Sequence, residues 1–293
     1  MKIRRSPGDK VFDFVNVIFM CCLMVITVYP VVYVLFASVS DPMKIMTHRG
    51  LLLAPKGFSL EAYASVLENQ NILHGYKNTL FILFAGTTIN VFLTSLGAYA
   101  LSRKNFLPRD FLMKGIVFTM LFSGGLIPTY LLVRDLKMID SLWALIMTTA
   151  ISTYNLIIMR TSFQQIPDSL IESAKIDGAN DFFILFKIVL PLSGAVLAVM
   201  ILFYGVDHWN AWFRAAIYLR TRMNYPLQLV LREILIQNST QSMMAGGQVD
   251  QLYFVGETIK YATIIVSTLP ILFIYPFMQK YFIKGVMIGA IKG

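Results

Sequence analysis

Side chains able to do covalent chemistry are few and scattered in this sequence. It has three histidines, His48, His74 and His208, and two cysteines, Cys21 and Cys22. No histidines have metal-ligand spacing. The cysteines are adjacent inside an apolar run, which argues against a disulfide framework or a metal site. His208, beside Asp207, reads as a capping or interfacial residue at a helix end. No Gly-x-x-x-x-Gly-Lys-[Ser/Thr] stretch occurs, so the chain lacks a phosphate-cradling loop of its own. An embedded enzyme would need a convergent acid, base or metal cluster. The expectation is therefore no catalytic residue, no metal and no cofactor held by this chain.

The informative polar chemistry lies in one segment. It reads Gln165-Ile166-Pro167-Asp168-Ser169-Leu170-Ile171-Glu172-Ser173-Ala174-Lys175-Ile176-Asp177-Gly178-Ala179 and closes with Ile188-Val189-Leu190-Pro191. Pro167 suits a helix start, and Asp168 and Glu172 suit its positive amino end. Gly178 permits a sharp turn. A second short helix is expected from about Asp181 to Lys187, with Pro191 beginning the next apolar run. The segment is too polar to cross a membrane and too ordered to be a passive connector.

The elements that position this segment are apolar. The 293 residues are 57% hydrophobic and 14% charged, with mean hydropathy +0.66 and net charge +9. Soluble domains carry about 25% charge. A spanning helix needs roughly 20 mostly apolar residues. Candidate spans run from about Phe14 to Ser38, Thr79 to Leu101, Phe111 to Val133, Leu142 to Met159, Ile188 to Val206 and Tyr261 to Phe282. The expected fold is all-α: a single polytopic membrane domain over 1–293 with about six transmembrane helices. Six spans place both termini on one side. More than half of the basic residues, Lys2, Arg4, Arg5, Lys10, Arg103, Lys104, Arg109, Lys114, Arg160, Lys175, Lys187, Lys280, Lys284 and Lys292, then share that side, which marks it as cytoplasmic. That topology, rather than nucleic-acid binding, accounts for the positive charge. The first apolar run is too long for a signal-peptide core and reads as an uncleaved helix.

Two outer segments are long, about 39–77 and 207–260. The second holds Arg214, Arg220, Arg222, Arg232 and a Gly246–Gly247 turn, and it is large enough to touch another protein. Within the spans, Asn90 and Thr94, with Gly86 and Gly97, fall at helical spacing, and so do Thr148, Ser152 and Asn155. Such faces pack helices together in lipid or wall a substrate path; both readings stand. The run Ser123-Gly124-Gly125-Leu126-Ile127-Pro128 permits a kink in the third span. No span carries a charge deep in its middle, which argues against a proton- or sodium-coupled relay.

Glu172-Ser173-Ala174, Gly178, Ile188 and Leu190-Pro191, at their mutual spacing, resemble the "EAA" loop of binding-protein-dependent ABC importer permeases. Ser173 departs from the family's usual Ala. By this resemblance the cytoplasmic loop of about 164–191 is a coupling helix docking on an ATPase, with Glu172, Ser173, Ala174, Asp177, Gly178, Leu190 and Pro191 at the contact. ATP and Mg would be bound by that partner ATPase. The Gly124–Pro128 stretch, Trp209-Asn210, Tyr225-Pro226-Leu227-Gln228 and the tail Lys284–Gly293 resemble the carbohydrate-uptake branch, in particular maltose-type six-helix subunits handling oligosaccharides from complex polysaccharides. The resemblance implies a bacterial inner-membrane location, a second homologous permease, two ATPase subunits, an extracytoplasmic solute-binding protein and surrounding lipid, and no nucleic acid. It also implies that Trp209, Asn210, Arg220 and Arg222 face the binding protein or channel mouth, and that Asn90, Thr94, Thr148, Ser152 and Asn155 are available to line the path. A permease for a non-sugar solute is the alternative; a secondary transporter fits less well, since its internal repeats are not evident.

Overall fold

The computed structural model describes residues 7–122, 124–244, 258–274 and 276. The Gly246–Gly247 turn, the last part of the sixth candidate span and the Lys284–Gly293 tail lie outside the described residues. The chain divides into two compact units, Met1–Asn69 with Glu233–Thr268, and Gln70–Arg232 with Leu269–Gly293.

In the first unit, helix α1 (Pro7–Ser38) is apolar on every face, and no residue of its most apolar stretch is buried. Val11, Phe14 and Ile26 are each about two-thirds exposed, a surface that only lipid or another apolar protein can cover. Its Thr27 hydroxyl returns to the carbonyls of Leu23 and Met24, which satisfies that hydroxyl in an apolar setting. Asp41 caps α2 (Pro42–Thr47) by accepting from the Met43 and Lys44 amides. A small core of Ala37, Ile45 and Leu52 packs with Tyr33 and Tyr261. Helix α3 (Glu61–Glu68) follows, so the first outer segment is mostly helical.

In the second unit, α4 (Gln70–Ser102) is one helix of 33 residues, beginning nine residues before the expected start. It holds a π-helical turn at Ile82–Gly86. The third candidate span is broken, as its glycines and proline allow: α5 (Arg109–Leu121) and α6 (Leu126–Asp135) meet at 113°. Gly125 at the break has φ +86°.

The fourth candidate span is a correction. It is not a continuous helix but α7 (Leu142–Met147), a non-helical stretch, and α8 (Thr153–Phe163). Thr148 and Ser152 therefore do not share a helical face with Asn155. The Thr148 hydroxyl turns back to the Ala144 carbonyl, and Ser152 caps α8 through the Asn155 amide.

The fifth candidate span also begins later than expected. Helix α9 (Asp168–Ile176) is followed by α10, which runs from Asp181 to Leu192 rather than stopping near Lys187. It contains a second π-helical turn at Leu185–Val189. Pro191 lies in its last turn, where its ring would meet the Lys187 carbonyl; the wider π turn accommodates it. The chain then bends by 89° into α11 (Gly194–Trp209). Helices α12 (Trp212–Tyr218) and α13 (Leu227–Met244) lie in the second outer segment. Helix α14 (Thr258–Ile274) ends the described chain.

Two apolar cores hold the second unit. One joins Ala98, Leu156, Met159, Phe163, Ile184 and Met200 from α4, α8, α10 and α11. The other joins Ile82, Val133, Leu145, Tyr218 and Leu229. Between helices in lipid this packing is held by dispersion and hydrogen bonds, because lipid is as apolar as the core. By length and composition, α1 and α4 can each cross a membrane alone, and each bent pair can make one more span.

Candidate functional site

The segment expected to couple projects its polar face away from the cores. In α9 only Ile171 is buried, at 6% exposure. Glu172, Ser173, Lys175 and Asp177 are exposed and Ala174 is half-buried. Gly178 follows at φ +81°, with nothing within 4 Å of where a Cβ would stand. That conformation favours glycine, and it turns the chain between α9 and α10 as its sequence position implies. Ile176 is 87% exposed and Phe182 66% exposed. Ile176 and Phe182 thus stand exposed beside the polar face of α9.

The base of the segment is fixed. Ile171, Ile184 and Leu185 enter the core with Phe163. Tyr99 on α4 donates to Asp181 Oδ1 at 3.0 Å, and Lys175 pairs with the same carboxylate at 3.3 Å. Arg103 Nη2 donates to the Phe163 carbonyl and Arg160 Nε to the Leu101 carbonyl. Lys104 pairs with Asp168 at 2.7 Å, and its ammonium holds that carboxyl below its usual range. The basic residues of the α4–α5 connection thus lie beside the coupling segment. Leu190 is half-buried and Pro191 exposed.

The polar residues inside the spans have a definite task. Asn90 and Thr94 are fully buried and Asn155 is 5% exposed. Asn90 Nδ2 donates to the Thr149 and Ala150 carbonyls at 2.6 and 2.9 Å. Its Oδ1 accepts from His208 Nε2 at 2.6 Å. The Tyr204 hydroxyl accepts from the Ser152 amide at 3.0 Å and bonds Thr94 Oγ1 at 2.7 Å. These contacts satisfy the backbone of the broken fourth span, as an apolar surrounding requires. In this structure Asn90 and Thr94 are enclosed by their own chain.

His208 is not the capping or interfacial residue its position suggested. It is 1% exposed, because Asp207 instead pairs with Arg214 at 2.7 Å. The ring occupies space that only a glycine at position 86 leaves open.

The outer candidates divide. Trp209 is 4% exposed and lines an apolar cavity of about 590 Å³ with Leu83, Phe84, Leu197, Ile201 and Ile271. It turns inward toward this cavity. Asn210 is exposed, with Nδ2 donating to the Val206 carbonyl. Arg214 is engaged by Asp207, and Arg232 lies 3.7 Å over the Trp212 ring. Arg220 and Arg222 are exposed. Sequence reasoning missed Asp140, which holds the strand of chain bearing them. Its carboxyl is held down at about 2, first by the Thr221 hydroxyl and then by the Arg220 and Thr221 amides. Among the described residues no three His, Cys, Asp or Glu side chains gather as metal ligands.

No family model matches the chain. It is 42% identical over 290 residues to the polygalacturonan/rhamnogalacturonan transport system permease protein YtcP of Bacillus subtilis (strain 168), covering 97% of this chain and 99% of that one. It is 40% identical to protein LplC of the same organism, over 99% and 98% of the two chains. The arabinooligosaccharides transport system permease protein AraQ of that organism is 25% identical over 99% of this chain. Among solved structures, a bacterial ABC transporter involved in the import of the acidic polysaccharide alginate matches at TM-score 0.87 and 30% identity, over 96% of this chain and 100% of that one. With such identity over nearly its whole length, this chain belongs to the permease subunits of carbohydrate-importing ABC transporters.

Proposed function

We propose that this permease carries an acidic oligosaccharide from an extracytoplasmic solute-binding protein into the cytoplasm. It works with a second, homologous permease and two ATPase subunits that bind ATP and Mg. Both termini and the coupling segment face the cytoplasm of the bacterial inner membrane. The observation that supports the coupling role is the exposed face of α9 with its Gly178 turn, standing on a base fixed in the core. An ATPase that grips Glu172 and Ile176 would move α9, and α10 carries the motion into the core through Ile184 and Leu185. Because α10 is a continuous helix up to the 89° bend, displacement reaches α11 as a rotation instead of being absorbed by a loop.

An acidic substrate is supported by two relatives, whose names specify polygalacturonan/rhamnogalacturonan and alginate, and by Arg220 and Arg222 exposed on the outer segment. Guanidinium groups match carboxylate geometry bidentately. The test is ATPase activity of the assembled transporter in proteoliposomes with its binding protein. Oligogalacturonides are expected to stimulate it and neutral arabino-oligosaccharides to do so weakly. Equal or stronger stimulation by the neutral sugars would overturn the acidic assignment.

A further inference from the structure

The chain between α6 and α7 holds two non-glycine residues in left-handed backbone, Lys137 at φ 55° and Asp140 at φ 62°. Such backbone persists where its surroundings over-determine it, and around Asp140 they do. Its amide donates to the Tyr218 carbonyl at 2.8 Å. Its carbonyl accepts from Asn224 Nδ2 at 3.0 Å. Its carboxylate Oδ1 accepts from the Arg220 amide at 2.9 Å, the Thr221 amide at 2.9 Å and Asn224 Nδ2 at 3.3 Å. Oδ2 accepts from the Thr221 hydroxyl. The outer stretch from Tyr218 to Asn224 is thus wrapped around one residue eighty positions earlier. A carboxylate so engaged is not a docking group. What it fixes is Arg220.

The Arg220 side chain is exposed, and Nη2 donates to the Tyr130 hydroxyl at 3.2 Å. Tyr130 lies parallel to Tyr218, at 8° and 6.4 Å between centroids. A guanidinium has five N–H donors in a fixed fork. With one on Tyr130 and the main chain pinned by Asp140, the rest can meet a carboxylate with little rotamer freedom left to lose, and preorganisation of this kind strengthens binding. The Thr221 hydroxyl and the Arg220 and Thr221 amides hold the Asp140 carboxyl well below its ordinary value.

We propose that Asp140 is a positioning residue for substrate selection, clamping Tyr218–Asn224 so that Arg220, seated beside Tyr130, receives the carboxylates of an acidic sugar at the outer mouth. This rests on the acidic-substrate reading above. A clamp that merely closed a loop would bear on stability or on maximal rate, not on which sugars are taken.

The test uses the complete transporter in proteoliposomes, with its binding protein loaded either with an oligogalacturonide or with the same oligomer methyl-esterified. Variants are Asp140→Ala, Asp140→Asn, Thr221→Val and Arg220→Gln. Asp140→Ala and Arg220→Gln are expected to raise the half-saturating concentration for the acidic oligomer about fivefold, the scale of one exposed charge-assisted contact. The maximal rate should hold in Asp140→Ala. The esterified oligomer should show no such rise. The double variant should be no worse than either single one, since both remove one interaction. Thr221→Val and Asp140→Asn, milder changes that keep part of the clamp, are expected to shift in the same direction by less, and they carry the test if Asp140→Ala fails to assemble. An unchanged half-saturating concentration, a purely maximal-rate effect, or additive losses in the double variant would overturn the positioning role alone. A wild-type transporter inert toward the acidic oligomer would overturn the substrate reading, and this proposal with it.

Discussion

Gly86→Ala should destabilise this permease more than the same change at Gly97 or Gly115. A Cβ at position 86 would stand 2.5 Å from His208 Nε2, 2.8 Å from Cε1 and 2.9 Å from Cδ2. Ordinary carbon contacts begin near 3.5 Å, so the ring must retreat by about 1 Å. It cannot do so freely. It is 1% exposed, and its Nε2 is held at 2.6 Å by Asn90. Asn90 in turn uses both amide hydrogens on the Thr149 and Ala150 carbonyls, so its oxygen must be the group facing His208. Overpacking costs about 1–3 kcal/mol, and stranding the Asn90 oxygen costs about 1–3 kcal/mol more. Removing a glycine from a helix returns up to about 1 kcal/mol. The net loss is about 1–6 kcal/mol. Thermal denaturation of the purified complex, followed by loss of its monodisperse peak, reads this directly. Gly115→Ala, where nothing lies within 4 Å, and Gly97→Ala, where only the flexible Leu156 Cδ1 is near at 3.2 Å, are the controls. A Gly86→Ala midpoint equal to that of Gly115→Ala would refute the reasoning. So would a Gly86→Ala His208→Ala double variant clearly less stable than His208→Ala alone, because the clash should vanish with the ring.

Gly178→Trp should assemble normally and lose ATP-driven transport, because the site is open to solvent and the cost to the fold is only left-handed strain of about 1–2 kcal/mol; full transport with the variant would remove the coupling role, and Gly178→Ala separates strain from bulk. The Asp140 clamp has a defined pH window. Its folded carboxyl titrates at about 2, below the ordinary value of 3.8, so its stabilisation is complete above the unfolded value and is lost as pH falls through about 2. Amide exchange at Arg220 and Thr221, referred to the intrinsic rate at each pH, should be flat from pH 7 to 5 and rise only below about 4. Lys104→Ala should leave complex yield unchanged, because the Lys104–Asp168 pair is 79% and 53% exposed and such pairs are screened by salt; a marked loss of yield would show that the pair holds the coupling segment.

The coupling segment was legible because its signals are local. Pro167 at a helix start, acids in the first turn and a glycine at the stop act through backbone geometry within a few residues. The structure places α9 at Asp168–Ile176 and Gly178 at φ +81° accordingly. The fourth span was misread for the opposite reason. Hydropathy over Leu142–Met159 is the same whether the helix runs through or stops at Met147. The groups that let it stop, Asn90 and Tyr204, lie about 60 and 52 residues away in sequence. Asp140 was equally hidden, since its partners lie eighty positions on. One clue did exist for His208: Arg214 follows Asp207 at a distance that can turn the acid outward and leave the histidine facing the core.

The error at the fifth span bears most on function. Pro191 was taken as the start of a new helix, yet it sits in the last turn of α10, just past the π turn at Leu185–Val189. A proline that ended the helix at Lys187 would have placed a loose joint between the coupling helix and the membrane. The π turn instead widens the helix where the ring would strike, so α10 remains one lever from Asp181 to Leu192. Its inner side, Ile184, Leu185 and Val189, is buried at 0–1% exposure, while Phe182 and Phe183 are exposed and Phe186 stacks on Phe92. The coupling role proposed above calls for both features, an anchored side and an accessible end. The chain bends by 89° before Gly194 into α11, which carries Tyr204 and His208. Those two residues hold the broken fourth span through Ser152 and Asn90. From Asp181 the covalent path therefore runs through α10 and α11 to the hydrogen bonds that hold the broken fourth span.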